Sequence, residues 1–156
     1  MSDRTIVGIL GLPVNKKKQV LLTKRHAPGN KNWHNKWQIA GGALDYGEIT
    51  EDCLIREMWE ELRVKPKILY PHPIVKTRVW YSAEDKNKMD AHIVLLTYIV
   101  DIGDQEPDLT QDPDWETSDW GWFTHSKALD LDSLPLTLDI VKEAYSIIDQ
   151  NGIIKQ

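Results

Sequence analysis

The chain has 156 residues, 41% hydrophobic and 28% charged, which supports a single domain over residues 1–156 with a sizeable core. Its net charge of −5 argues against a broad phosphate-binding surface, so no nucleic-acid partner is expected, though a small phosphate ligand held through a metal stays open. The single cysteine, Cys53, excludes an internal disulfide, and the sequence shows neither a membrane-length apolar run nor a leader in MSDRTIVGIL, so the expectation is a cytoplasmic protein off the membrane.

Thr5 to Leu12, rich in β-branched and aliphatic residues, predicts a strand. Asn15 to Lys18 is a polar turn and Gln19 to Lys24 a second strand, and the two strands are expected to pair as a hairpin. His26 to Lys36 has no apolar period and reads as a loop; with Lys24 and Arg25 it brings cations toward the acidic stretch that follows, and Arg25 is taken as a contact for substrate phosphates. Trp37 opens a short apolar segment that is expected to turn on Gly41 and Gly42 and to loop from Ala43 to Gly47.

A helix follows. Glu51 and Asp52 suit its N-terminus, and Leu54, Ile55, Met58 and Leu62 make an apolar stripe at helical spacing. Glu57, Glu60 and Glu61 fall together on another side, where like charges destabilise an isolated helix. Arg56 can neutralise one carboxylate, not three; a hard divalent cation could offset the rest. Beyond the helix, Pro66, Pro71 and Pro73 punctuate the chain. Ile74 to Ser82 and Ala91 to Ile102 predict two longer strands around a charged connection, Ala83 to Asp90. Gly103 to Asp119 reads as an irregular acidic loop, Trp120 to Phe123 as a short strand, and Ser126 to Asp130 as one helical turn. Leu138, Val141, Ala144, Tyr145 and Ile148 define a terminal amphipathic helix, ended by Asn151-Gly152. The order β-β-β-α-β-β-β-α predicts an α+β or α/β sandwich with helices covering a mixed sheet.

One spacing carries more than these local patterns. Gly42, five residues, Glu48, seven residues and then Arg56-Glu57-Met58-Trp59-Glu60-Glu61-Leu62-Arg63-Val64 resembles the box of the Nudix hydrolases. That pattern is Gly, five residues, Glu, seven residues, Arg-Glu-apolar-any-Glu-Glu-any-Gly-apolar, and every defined position matches except Arg63, where the family usually has Gly. Trp37 and the Gly41-Gly42 pair are similar to the family's lead-in, with Ala40 in place of its frequent Pro. The resemblance implies the α+β Nudix fold, a mixed β-sheet sandwiched between α-helices, over nearly the whole chain. It also implies hydrolysis of a nucleoside diphosphate linked to another group, with Mg²⁺ or Mn²⁺.

Carried onto this sequence, the resemblance implies that Glu57, Glu60 and Glu61 bind metal, with Glu57 also the candidate general base and Gly41 lending its backbone carbonyl. Arg56 and Glu48 would orient the site. Glu116 resembles the family's later-loop carboxylate, with Asp112, Asp114 and Asp119 competing for that role. The family Gly reads as a helix C-terminal device, so Arg63 is expected to end the helix by another path. Seven tryptophans beside one phenylalanine serve packing; one of the aromatics outside the box, Trp33, Trp37, Trp80, Tyr81, Trp115, Trp120 or Trp122, is a candidate for stacking on a nucleobase. The compact length and the Trp120–Phe123 end are similar to MutT-like enzymes, which implies a (deoxy)nucleoside triphosphate cut to the monophosphate and pyrophosphate. The alternatives are a dinucleoside polyphosphate (Tyr81 being placed for it), ADP-ribose, a nucleotide sugar, or a non-catalytic nucleotide-binding module. The partner expected is thus a small-molecule nucleotide, and a homodimer is compatible with all of these readings.

Overall fold

The computed structural model describes residues 4–81 and 84–154. Its strands are β1 (Thr5–Pro13), β2 (Val20–Arg25), β3 (Trp37–Gln38), β4 (Ala40–Ala43), β5 (Lys67–Ile68), β6 (Ile74–Tyr81), β7 (Met89–Asp101) and β8 (Thr117–Phe123). The helices are α1 (Thr50–Leu62), α2 (His125–Leu129) and α3 (Thr137–Asn151), with a 3-10 turn at Leu109–Gln111. Ser82, expected to close the β6 strand, and Ala83, expected to open the connection after it, lie outside the described residues.

The strands form two sheets rather than one. In the larger, β4, β1, β7 and β5 lie in that order and β6 also pairs with β7; in the smaller, β2 lies between β3 and β8. The predicted hairpin of the first two strands is therefore corrected: β1 pairs parallel with β7 and antiparallel with β4, whereas β2 crosses into the other sheet, the two strands keeping only a Val14–Val20 bridge. An alternating or continuous apolar run identifies a strand but not its partner. The pairings that win are distant in sequence.

The larger sheet is sandwiched between α1 and α3, because its strands bury both faces. Ile9 of β1 and Tyr98 and Val100 of β7 pack with Leu54, Met58 and Leu62 of α1. Leu12 and Ile99 pack on the other side with Ile140, Val141, Ala144 and Ile148 of α3. Complete burial of Leu54, Met58 and Leu62 stabilises by roughly 1.5–3 kcal/mol each. The helix comes close because β1 carries Gly11, where any Cβ would collide with Met58. The expected stripe needs one correction: Ile55 is half exposed, and Cys53 and Glu61 are buried instead.

Both helix ends follow from backbone chemistry. Gly152 caps α3 in the left-handed conformation and donates its N–H to Ile148, as Asn151-Gly152 predicted. Arg63 caps α1 at φ 56°, donating to the Trp59 carbonyl. The expected alternative path is not taken: arginine adopts the left-handed conformation that glycine would reach more cheaply. Its guanidinium lies 5.2 Å over the Trp59 ring, and Nη2 donates to the Gln111 carbonyl at 3.3 Å.

Candidate active site

The glycine pair does not turn. Gly41 and Gly42 lie within β4, opposite Leu10 and Ile9 of β1. Two glycines in sequence read locally as a turn, but here the missing side chains serve close approach. A Cβ on Gly42 would overlap the Glu57 carboxylate, and a Cβ on Gly41, at φ 144°, would strike the β1 backbone. The bare strand edge thus becomes the bed on which the α1 carboxylates lie.

Arg56 gathers most of those carboxylates. Its Nε donates to Glu48 at 2.8 Å and its Nη2 to the same carboxylate at 2.9 Å, a bidentate pair. Nη1 reaches Glu57 at 2.9 Å and Glu60 at 3.3 Å, and Nη2 pairs with Asp45 at 3.3 Å. One guanidinium thus touches four carboxylates, while its single charge offsets only one of them, as the sequence implied. The Arg56 hydrogen bonds hold the Glu48 carboxyl down to about 2. Burial pushes Glu57 above the usual carboxylate range, against the pull of Arg56.

Glu61 stands apart. It is buried on the α1 face, accepts the Gly41 N–H and the Thr117 hydroxyl at 3.0 Å each, and has no cation partner among the described residues. Burial lifts its carboxyl to about 7, the two hydrogen bonds opposing that rise and the charges of Asp112 and Glu57 adding to it. Cys53 is fully buried and burial raises its thiol to about 12, in keeping with a small packed residue.

Among the described residues, no three Asp, Glu, His or Cys side chains are grouped closely enough to hold a metal as they stand. The donor set nonetheless suits a hard divalent cation. It offers only carboxylate and backbone oxygens, two of its carboxylates are raised by burial, and Glu57 lies in a cradle that a Cβ on Gly42 would fill.

A cavity of about 320 Å³ opens beside this acidic end. Its floor is the α3-side face of the larger sheet, where Ile6 and Gly8 of β1 align with Ile93 and Leu95 of β7. Leu134, Pro135 and Ile140 close the opposite side, Trp33 and Trp80 stand in the lining, and Gly41, Gly42, Glu61, Glu116 and Arg25 complete it. Arg25, beside a register shift at the end of β2, pairs with Glu116 at 3.4 Å and lies 5.3 Å over Trp33.

Of the four acidic candidates in the later loop, only Glu116 lines the cavity. Asp112 is buried and accepts the backbone N–H groups of Asp114 and Glu116, Asp119 accepts that of Trp120, and Asp114 lines no part of the cavity. Tyr81 is exposed at the end of β6 and lines no part of it either. Sequence reasoning missed Thr117 and Gln38, a hydroxyl and an amide in ordinary strand runs that no local pattern marks as site residues.

The family model described as the NUDIX domain matches residues 4–144. An RNA pyrophosphohydrolase from Psychrobacter cryohalolentis is 39% identical over 64 residues, 41% of this chain and 32% of that protein. The chain thus spans about a third of the length of that relative. The 8-oxo-dGTP diphosphatase of Escherichia coli is 26% identical over 98 residues, 63% of this chain and 67% of its own. The crystal structure of a MutT NUDIX hydrolase from Burkholderia pseudomallei superposes with a TM-score of 0.67 over 90% of this chain and 98% of that one, at 22% identity. With the box geometry above and a family match over most of its length, the chain belongs to the Nudix domain family.

Proposed function

We propose that the protein is a Nudix pyrophosphohydrolase that cuts a (deoxy)nucleoside triphosphate to the monophosphate and pyrophosphate. The observation that carries this reading is a single compartment: an apolar, tryptophan-walled cavity whose lining ends in Gly41, Gly42, Glu61, Glu116 and Arg25. A nucleoside fits the apolar part by contact and stacking, which leaves its phosphates at the charged end. The 8-oxo-dGTP diphosphatase similarity supports a mononucleotide substrate.

Glu57, Glu60 and Glu61, with the Gly41 carbonyl and Glu116, would hold Mg²⁺ or Mn²⁺. When bound, that cation offsets charge on the phosphate oxygens and acidifies water. Glu57, raised by burial and next to Arg56, would accept the proton of the attacking water. The water oxygen bonds to phosphorus as the anhydride P–O bond breaks and pyrophosphate leaves. Arg56 and Glu48 hold Glu57 in position. Arg25 supplies a cation for substrate phosphate, at the cost of its pair with Glu116. A soluble cytoplasmic enzyme acting without a membrane partner is part of the same reading.

The test is pyrophosphate release from nucleoside triphosphates, 8-oxo-dGTP and 5′-triphosphorylated RNA, and phosphate release with an added phosphatase from ADP-ribose and nucleotide sugars, each with and without Mg²⁺. Mg²⁺-dependent turnover of triphosphates supports the proposal. If only ADP-ribose or nucleotide sugars are cut, the substrate assignment is wrong. If nothing is cut while nucleotides still bind, the protein is a binding module.

A further inference from the structure

The loop between β2 and β3 brings Trp33 into the lining of the apolar cavity. At its base the contacts are backbone to backbone: Arg25 donates to the Lys36 carbonyl at 2.8 Å and Asn35 to the Arg25 carbonyl at 2.9 Å. The next link outward is made by a side chain. The Ala27 N–H donates to Nδ1 of the His34 ring at 3.0 Å. Within that link, Asn30 donates to the Ala27 carbonyl, and Trp33 and His34 donate to the Asn30 carbonyl. The imidazole thus closes the neck of a turn that includes Trp33.

A backbone amide can only donate, so Nδ1 is the bare nitrogen of this ring and the proton sits on Nε2. A proton added at Nδ1 turns the acceptor into a donor that faces the Ala27 N–H. The link has no protonated form, and the half-buried ring loses a partner it cannot replace in kind. The charged and titratable groups around the ring come from three elements. His26 stands edge-on, its centroid 5.4 Å away, and Lys31 and Lys36 belong to the same loop. Arg25 comes from β2 and pairs with Glu116, while Lys36 pairs with Asp132. Neither carboxylate pairs with His34 among the described residues. The Trp33 indole is half exposed, with Arg25 5.3 Å from its ring, so its place depends on the backbone that bears it.

We propose that His34 is a positioning residue: as a neutral imidazole it latches the β2–β3 loop and keeps Trp33 in the cavity wall, and on protonation it releases both. Substrate binding then weakens as pH falls through the range in which histidine titrates. The consequence for substrate rests on the nucleotide reading above.

The test sets the wild type against His34→Asn and His34→Leu. Asparagine carries its Oδ1 where histidine carries Nδ1, so it accepts the Ala27 N–H at every pH; leucine accepts at none. Glu61, whose carboxyl is raised to about 7, and His26 are kept in all three proteins, so the comparison at each pH isolates His34. Nitrogen-15 NMR from pH 8 to 5.5 follows the Ala27 amide and the Trp33 indole N–H, and steady-state rates with Mg·ATP give KM and kcat. In the wild type both signals should titrate together, and neither should do so in His34→Asn. Between pH 8 and 5.5 the KM of the wild type should rise about threefold to tenfold more than that of His34→Asn, with the kcat ratio unchanged. His34→Leu should show the raised KM already at pH 8. Ala27 and Trp33 signals with the same pH dependence in wild type and His34→Asn, or KM profiles that coincide, overturn the proposal. If Mg·ATP is never cut, the hydrolase reading fails, while the two NMR signals still decide the latch.

Discussion

Glu61 is the residue whose removal separates catalysis from stability most sharply. Its carboxyl has an ordinary value of 4.5 and rises to about 7 in the fold, chiefly by burial. The folded state therefore binds this proton more tightly than the unfolded chain does, so the metal-free protein loses stability as pH climbs from 4.5 to about 7, and the loss is complete above that. At ~1.4 kcal/mol per unit, the ionised form costs about 3 kcal/mol. Glu61→Gln removes the charge and keeps the shape. The amide oxygen can accept the Gly41 N–H, and the amide nitrogen can donate to Thr117, whose hydroxyl serves either way. Allowing about 1 kcal/mol for weaker hydrogen bonds, the variant should gain about 2 kcal/mol at pH 8.5, roughly 4 to 8 °C in Tm for a chain of this size. The assay is thermal unfolding in EDTA at pH 5.5 and 8.5, followed by the same melts in Mg²⁺. The wild type should be the less stable of the two at pH 8.5, the difference shrinking at pH 5.5. Mg²⁺ should stabilise the wild type more than the variant, and turnover of the variant should drop by at least about tenfold. A Glu61→Gln protein that melts below wild type in EDTA at pH 8.5 would falsify this account of the buried carboxylate.

Gly42→Ala places a methyl group in the Glu57 carboxylate; the fold should survive a strain of about 1–3 kcal/mol while kcat falls at least tenfold on the order of magnitude seen when a metal-site partner is lost, read by circular dichroism and steady-state rates. Arg63→Gly relieves about 1 kcal/mol of left-handed backbone cost but forfeits the Trp59 and Gln111 contacts, so Tm and turnover should stay close to wild type. A large rate loss there would show that the α1 terminus shapes the site.

The box was the most legible part of the chain. Its helix and the C-cap at Gly152 follow from spacings within a few turns, whereas of the three glutamates only Glu57 and Glu60 meet at Arg56, Glu61 lying buried apart from them. What escaped is what depends on distant partners. Nothing within QVLLTK says that β2 leaves the sheet of β1, because its ladders are with β3 and β8. The glycine pair reads as a turn until Glu57 is seen to need the empty space over Gly42. Ile55 and Glu61 exchanged their expected places because the covered face of α1 is set by β1 and β7, not by hydrophobicity alone. That Arg56 also touches Asp45 escaped, because the loop holding Asp45 and Glu48 folds back over the helix only in three dimensions.

The two hydrogen bonds to Glu61 come from Gly41, twenty residues before it, and Thr117, fifty-six residues after it. On a ribosome the acidic helix therefore emerges long before its last anchor does. The parallel ladder joining β1 to β7 also closes only after residue 101 has been made, and such non-local pairing is slow. A nascent chain or fragment ending before Thr117 would display the complete box sequence and still lack the anchored carboxylate, so competence arrives with the last third of the chain rather than with the motif.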